Sequence, residues 1–172
     1  MEKLIIIRGP SGAGKSTVSK ELLARSSRPT LLVSEDGIRK MFNDHERAGH
    51  DVARELATLS VHYGLKNGYD VIYEGILNIK TRKVQLDELL EAHPEENYFF
   101  YLDVGWDETV KRHLTRPEKA EFGLEAMQRW WNYASPTNHT AETIIPETAS
   151  KEETIRIIGK VAGLELLEPL SE

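Results

Sequence analysis

Five short apolar runs punctuate the chain, and each is continuous rather than alternating. They are LIIIR (4–8), TLLVS (30–34), DVIYEG (70–75), NYFFYLDV (97–104) and ETIIP (142–146). Runs of this length, rich in β-branched and aromatic residues, are how strands covered on both faces look. The stretches between them have helical spacing. Val52, Leu56, Leu59 and Tyr63 fall at i, i+4, i+7 and i+11, one face of a helix. Val18 with Leu22, Val84 with Leu89 and Leu90, Val110 with Leu114, and Ile155 with Ile158 and Ala162 mark further helices. Gly68 stands where a helix should end before the third strand. Strand–helix alternation from end to end predicts an α/β fold. About five strands would form a mostly parallel sheet with helices on both faces. RPEKAEFG (116–123) and NYASPTNHT (132–140) read as polar breaks.

Composition narrows the picture without naming a chemistry. The 172 residues fit a single domain, 1–172, with one real core. Hydrophobic residues make up 40% and charged residues 29%, the balance of a globular chain. There is no cysteine, so disulfides and thiolate metal sites are excluded. The opening apolar run is too short for a signal segment or a membrane span, so a cytoplasmic setting and no membrane partner are expected. The net charge of −6 argues against a long nucleic acid as partner. Oligomeric state is not legible from the sequence.

The candidate chemistry begins directly behind the first strand, at GPSGAGKST (9–17). Gly9, Gly14, Lys15 and Ser16 meet the spacing G-x-x-x-x-G-K-[ST], with Pro10, Ser11, Gly12 and Ala13 between. A polyphosphate needs several donors converging on it, and bare backbone N–H groups approach it best. Glycines let the loop curl and come close. The helix opening near Gly14 adds its positive end. Lys15 can reach the β- and γ-phosphates, the Ser16 hydroxyl can hold Mg²⁺, and Thr17 can contact the α-phosphate. The alternative is a glycine-rich surface turn, but the motif follows a strand and opens a helix, as a phosphate-binding loop must. Switches, motors, ATPases and kinases all share such a loop, so other residues must choose among them.

A second constellation lies in LLVSEDGIRKMF (31–42). Asp36 and Arg39 stand three apart where a short helix should follow the second strand. In a parallel sheet the carboxyl ends of the strands form the ligand crevice. A carboxylate there can take a proton from an attacking hydroxyl or lie close to Mg²⁺. Arg39, one turn on, can hold a polar or anionic acceptor. The plainer reading is a helix cap at Ser34 or Asp36 beside a solvated Arg39.

The glycine loop followed by D-x-x-R after the second strand resembles the small P-loop kinases of the nucleoside-monophosphate-kinase-like group. Within it the chain is similar to the kinase half of polynucleotide kinase, to adenylylsulfate kinase, to gluconate kinase and to antibiotic phosphotransferases such as chloramphenicol phosphotransferase. The resemblance is sharp over residues 9–17 and 34–39, and looser at 73–75 and 112–116. It implies the P-loop NTPase fold with a helical lid at about 112–135, ATP as phosphoryl donor, Asp36 as acceptor base and Arg39 as a substrate contact. Glu74 ends the third strand where many such proteins carry aspartate, and could accept from substrate or from a metal-bound water. Arg112 and Arg116 lie four apart on one helix face, with Arg116 favoured as the lid arginine that meets the transferring phosphoryl group. Arg82 reads mainly as a solvated helix charge. The stripe Phe122, Ala126 and Trp130, with Met127 and Trp131 beside it, reads mainly as core. The histidines have no metal-ligand spacing.

Three functions stay open on the sequence. One is an ATP-dependent kinase with a small-molecule hydroxyl acceptor. The second is a polynucleotide 5′-hydroxyl kinase. The third is a nucleotide-binding regulatory ATPase, which would need no acceptor base; no N-K-x-D guanine-reading motif is present.

Overall fold

A computed structural model of the chain describes residues 1–43, 49–115, 123–136 and 142–168. The five apolar runs form β1 (Leu4–Arg8), β2 (Thr30–Ser34), β3 (Asp70–Gly75), β4 (Asn97–Asp103) and β5 (Glu142–Pro146). The helices are α1 (Lys15–Arg25), α2 (Glu35–Lys40), α3 (Gly49–Lys66), α4 (Ile79–Ala92), α5 (Trp106–Leu114), α6 (Leu124–Tyr133) and α7 (Lys151–Ala162). All strand pairs are parallel, in the order β2-β3-β1-β4-β5. This is the predicted α/β architecture, and it is that of the P-loop NTPases.

Central β1 has no exposed side, which explains why its run is unbroken. Ile5 and Ile7 pack with Val18 and Leu22 of α1 and with Ile155, Ile158 and Ala162 of α7. Leu4 and Ile6 point to the other face, against Ala57 and Val61 of α3 and Leu86 and Leu89 of α4. Local signals set the helix ends. Ser150 accepts from Glu153 N at the start of α7 and Asn78 from Lys80 N at the start of α4, while Gly163 closes α7 in the left-handed region.

On three helices the apolar spacing does not mark the buried face, and the reading of Arg82 as a solvated charge is overturned. In α3 the stripe Val52, Leu56, Leu59 and Tyr63 is exposed, at 48, 38, 65 and 71%. The buried face carries Ala53, Ala57, Val61 and Gly64 instead. The reason is clearance. A Cβ on Gly64 would stand 2.8 Å from side-chain atoms of Leu31 and Val71, so the helix lies too close to β2 and β3 for large residues. In α4, Val84 is exposed while Arg82 is buried, and in α5 the buried residues are Thr109 and His113 rather than Val110 and Leu114.

The last residue of β1 is a fully buried arginine. Arg8 Nη1 meets Glu142 Oε1 at 2.5 Å, and both side chains are almost wholly out of solvent. Its Nε donates to the Leu77 carbonyl at 3.0 Å and its Nη2 to the Ser135 carbonyl at 3.1 Å. The guanidinium also lies 5.6 Å from the Tyr101 ring centre. One side chain thus ties β1 to β5, to the β3–α4 turn and to the segment after α6. Burial pushes the Tyr101 phenol up to about 12, against the opposing pull of Arg8.

Candidate active site

The loop 9–14 runs from β1 into α1 with its glycines in conformations that other residues avoid. Gly12 has φ 88° and Gly14 has φ 98°. Gly14 precedes α1 in the left-handed region and supplies no side-chain cap, so the positive end of the helix opens at the loop. Lys15 is buried, and its Nζ donates to the Pro10 carbonyl at 2.8 Å, folded back across the loop. Ser16 and Thr17 follow on the first turn of α1, with Ser11 and Ala13 in the loop itself.

On the β3 side, Glu74 is buried and aimed at the loop. Its Oε1 accepts from Ser16 Oγ at 3.0 Å and from Ser34 Oγ at 2.5 Å. Ser34 in turn accepts from Gly37 N at 3.2 Å and so caps α2. An unbroken chain of polar contacts therefore links the first turn of α1 to the helix that carries Asp36 and Arg39. Sequence reasoning treated Ser34 only as a cap. Its link to Glu74 depends on β2 and β3 being neighbours, which the sequence does not state.

Asp36 and Arg39 are paired with each other, and Lys40 Nζ lies 3.3 Å from Asp36. Partial burial raises the Asp36 carboxyl, but the hydrogen bond and charge of Arg39, helped by Lys40, outweigh it. The group is held below its ordinary 3.8 and is ionised at neutral pH. Two groups far apart in sequence meet at the start of α2. Arg82 is buried and ion-paired with Glu35. Glu35 Oε2 and Arg54 Nε are buried with no hydrogen-bond partner. Burial first, and then the Glu35 carboxylate, push the Tyr73 phenol well above its ordinary range.

On the β4–β5 side of the loop lies a cavity of about 450 Å³, lined by Ala13, Gly14, Thr17, Arg112, Pro146 and Thr148 among others. Arg112 donates through Nη1 to the Ala13 carbonyl at 3.0 Å and through Nε to Glu108 at 2.8 Å. It thus reaches the loop from the cavity wall. Arg116, the other expected lid arginine, lies outside the described residues, as does Phe122. Met127 of α6 is fully buried, and Trp131 meets Trp106 edge-on at 6.0 Å and donates to the Val104 carbonyl. A methyl on Gly12 would stand 3.1 Å from Met127 Cε and from Thr109 Cβ, so α5 and α6 rest directly on the loop. A smaller cleft of about 270 Å³, lined partly by Lys3, Arg28, Asp70 and Glu165, involves residues at the amino ends of the strands. Its Arg28 and Asp70 pair with each other.

The residues fit a polyphosphate: the start of a helix without a side-chain cap, a buried lysine and a glycine-curled loop. The Ser16 hydroxyl and the Glu74 carboxylate are hard oxygen groups of the kind magnesium takes. β1 carries the loop at the point where the chain crosses from the β3 side to the β4 side, the place where open parallel sheets hold ligands.

Sheet order, loop and crevice together define a P-loop protein with the fold of the small P-loop kinases. The chain belongs to the AAA domain family, whose model matches residues 4–152. Among curated proteins it is 26% identical over 187 residues to a guanylate kinase of Prochlorococcus marinus, covering 94% of this chain and 97% of that one. A gluconokinase from Sinorhizobium meliloti superposes with a TM-score of 0.70 at 16% identity, covering 94% of this chain and 91% of that one. The APS kinase of Mycobacterium tuberculosis, solved with AMPPNP and APS, superposes with a TM-score of 0.68 at 14% identity, covering 94% and 98%. Among the described residues no helix is long and apolar enough to cross a membrane.

Proposed function

We propose that the protein is an ATP-dependent kinase that transfers the γ-phosphoryl group to a hydroxyl of a small molecule. The observation that carries this reading is the chain Ser16–Glu74–Ser34–Gly37 N. It fixes the Asp36 helix at a set position relative to the phosphate-binding loop. A nucleotide switch needs no acceptor base beside its loop.

In this reading the triphosphate lies along Gly9 to Thr17 and the nucleoside fills the 450 Å³ cavity beside Arg112. Lys15 swings from Pro10 to the β- and γ-phosphates. Magnesium, held by the Ser16 hydroxyl with Glu74 behind it, would draw off charge from the phosphate oxygens. The acceptor hydroxyl lies against Asp36, with Arg39 released from its own carboxylate to hold the acceptor. The hydroxyl oxygen forms a bond to the γ-phosphorus as the bond to the bridging oxygen breaks. Its proton passes to Asp36, and ADP leaves. Arg116 is assigned to the transferring group. The acidic balance of the chain favours a small acceptor over a nucleic acid.

The likeness to a guanylate kinase motivates a second reading, in which the acceptor is the phosphate of a nucleoside monophosphate. That oxygen is already anionic and needs no base. The test is ADP release with ATP and Mg²⁺ over a panel of sugars, sugar acids, nucleosides, antibiotics, GMP, AMP and oligonucleotide 5′ ends. Turnover with a neutral hydroxyl compound that Asp36→Asn abolishes supports the first reading. Turnover with GMP that Asp36→Asn leaves largely intact supports the second. ATP binding that no acceptor converts to turnover would leave only a regulatory ATPase.

A further inference from the structure

The stripe of larger apolar side chains on α3 is left partly in solvent. Val52, Leu56, Leu59 and Tyr63 lie on a flank of the helix, and all four are more than a third exposed. The sheet-facing side of α3 is already filled by Ala53, Ala57, Val61 and Gly64. The helix therefore has two apolar faces, with the larger side chains on the outer one. The spacing of four, three and four residues is the seam of a two-stranded coiled coil. α3 lies over β2 and β3, and β2 is the edge of the sheet. A contiguous apolar patch of this kind marks an interaction surface.

We infer that this face binds a second copy of the chain, α3 against α3, antiparallel about a two-fold axis near Leu59. The charges select the partner and the direction. Near the start of the helix Asp51 is paired with Arg54, which leaves Glu55 as the flanking acid there, and Lys66 stands in the last turn. A parallel pair would set like charges opposite one another. The antiparallel pair sets Lys66 beside the partner's Val52 and within one helical turn of the partner's Glu55, twice over by symmetry. It also opposes the two helix dipoles. The surface is complementary to itself, which is the requirement of a two-fold interface. The inference does not depend on which acceptor the site takes.

The experiment is sedimentation equilibrium of the full chain over a concentration series, with circular dichroism to confirm folding. The wild type is expected to reach twice the 19.5 kDa chain mass above about 10 μM. Leu59→Glu places two carboxylates at the axis and should weaken the dimer by at least about 100-fold while leaving the thermal melt of the monomer in place. Glu55→Lys and Lys66→Glu should each weaken it by about 3- to 10-fold, and the double variant should recover most of the loss. A wild type that stays monomeric to about 200 μM overturns the inference. So does a dimer that Leu59→Glu leaves untouched, or a double variant no better than the singles.

Discussion

Ser16 Oγ and Glu74 Oε1 are joined at 3.0 Å across the gap between α1 and β3. The hydroxyl that the loop motif reserves for a metal ion is thus oriented from behind by a buried carboxylate. The same carboxylate takes a second hydrogen bond from Ser34. Replacing Glu74 by glutamine keeps the shape and removes the charge. Calorimetry of ATP without magnesium should change less than about twofold. The affinity gained on adding magnesium should fall by about 10- to 100-fold.

The pairing of Asp36 with Arg39 and Lys40 sets a pH dependence. The folded group titrates below 3.8, so it is a carboxylate throughout the neutral range. Its contribution to stability is fully present above the unfolded value and is lost as pH falls through the folded one. The acid limb of turnover assigned to Asp36 should therefore begin below about pH 4 in the free enzyme. Asp36→Asn should lower turnover by about 10²- to 10⁴-fold with ATP affinity unchanged. A limb centred near pH 6 would point to another base.

Arg8 and Glu142 predict a stability effect rather than a kinetic one. Arg8→Met leaves a buried carboxylate without its partner, and the cost should be about 3–5 kcal/mol in denaturant unfolding. Arg8→Met with Glu142→Leu should recover much of it, because a buried pair replaced by apolar residues is close to neutral.

The two faces of α3 should behave oppositely. Gly64→Ala pushes a methyl to within 2.8 Å of Leu31 and Val71 and should destabilise by about 1–3 kcal/mol. Leu59→Ser removes an exposed side chain and should change the stability of the monomer by less than about 0.5 kcal/mol. Thermal melts at a concentration low enough to hold the monomer would check both.

The strands were legible because burial on both sides leaves nothing to alternate. All five lie where the apolar runs put them, within a residue at the end of β4. The loop was legible because its glycines are needed locally, by φ at Gly12 and Gly14. The inward face of α3 was not. Periodicity finds the larger apolar side chains, whereas close approach to a sheet selects small ones. Arg82 was misplaced for a related reason. Its burial is made tolerable by Glu35, 47 residues away in sequence. The same holds for Arg8, which looks like the polar end of a strand until β5 brings Glu142 to it. The position of Asp36, Arg39 and Glu74 near strand ends is legible in the sequence, but the Ser34 hydroxyl that links Glu74 to α2 is not.

Gly12 touches Thr109 and Met127 across less than the width of a methyl group. The inner side of α5 and α6 and the outer side of the glycine loop are therefore one shared wall. A side chain larger than hydrogen at position 12 would have to displace Thr109 or Met127, so the curl of the loop and the seating of α5 and α6 constrain one another.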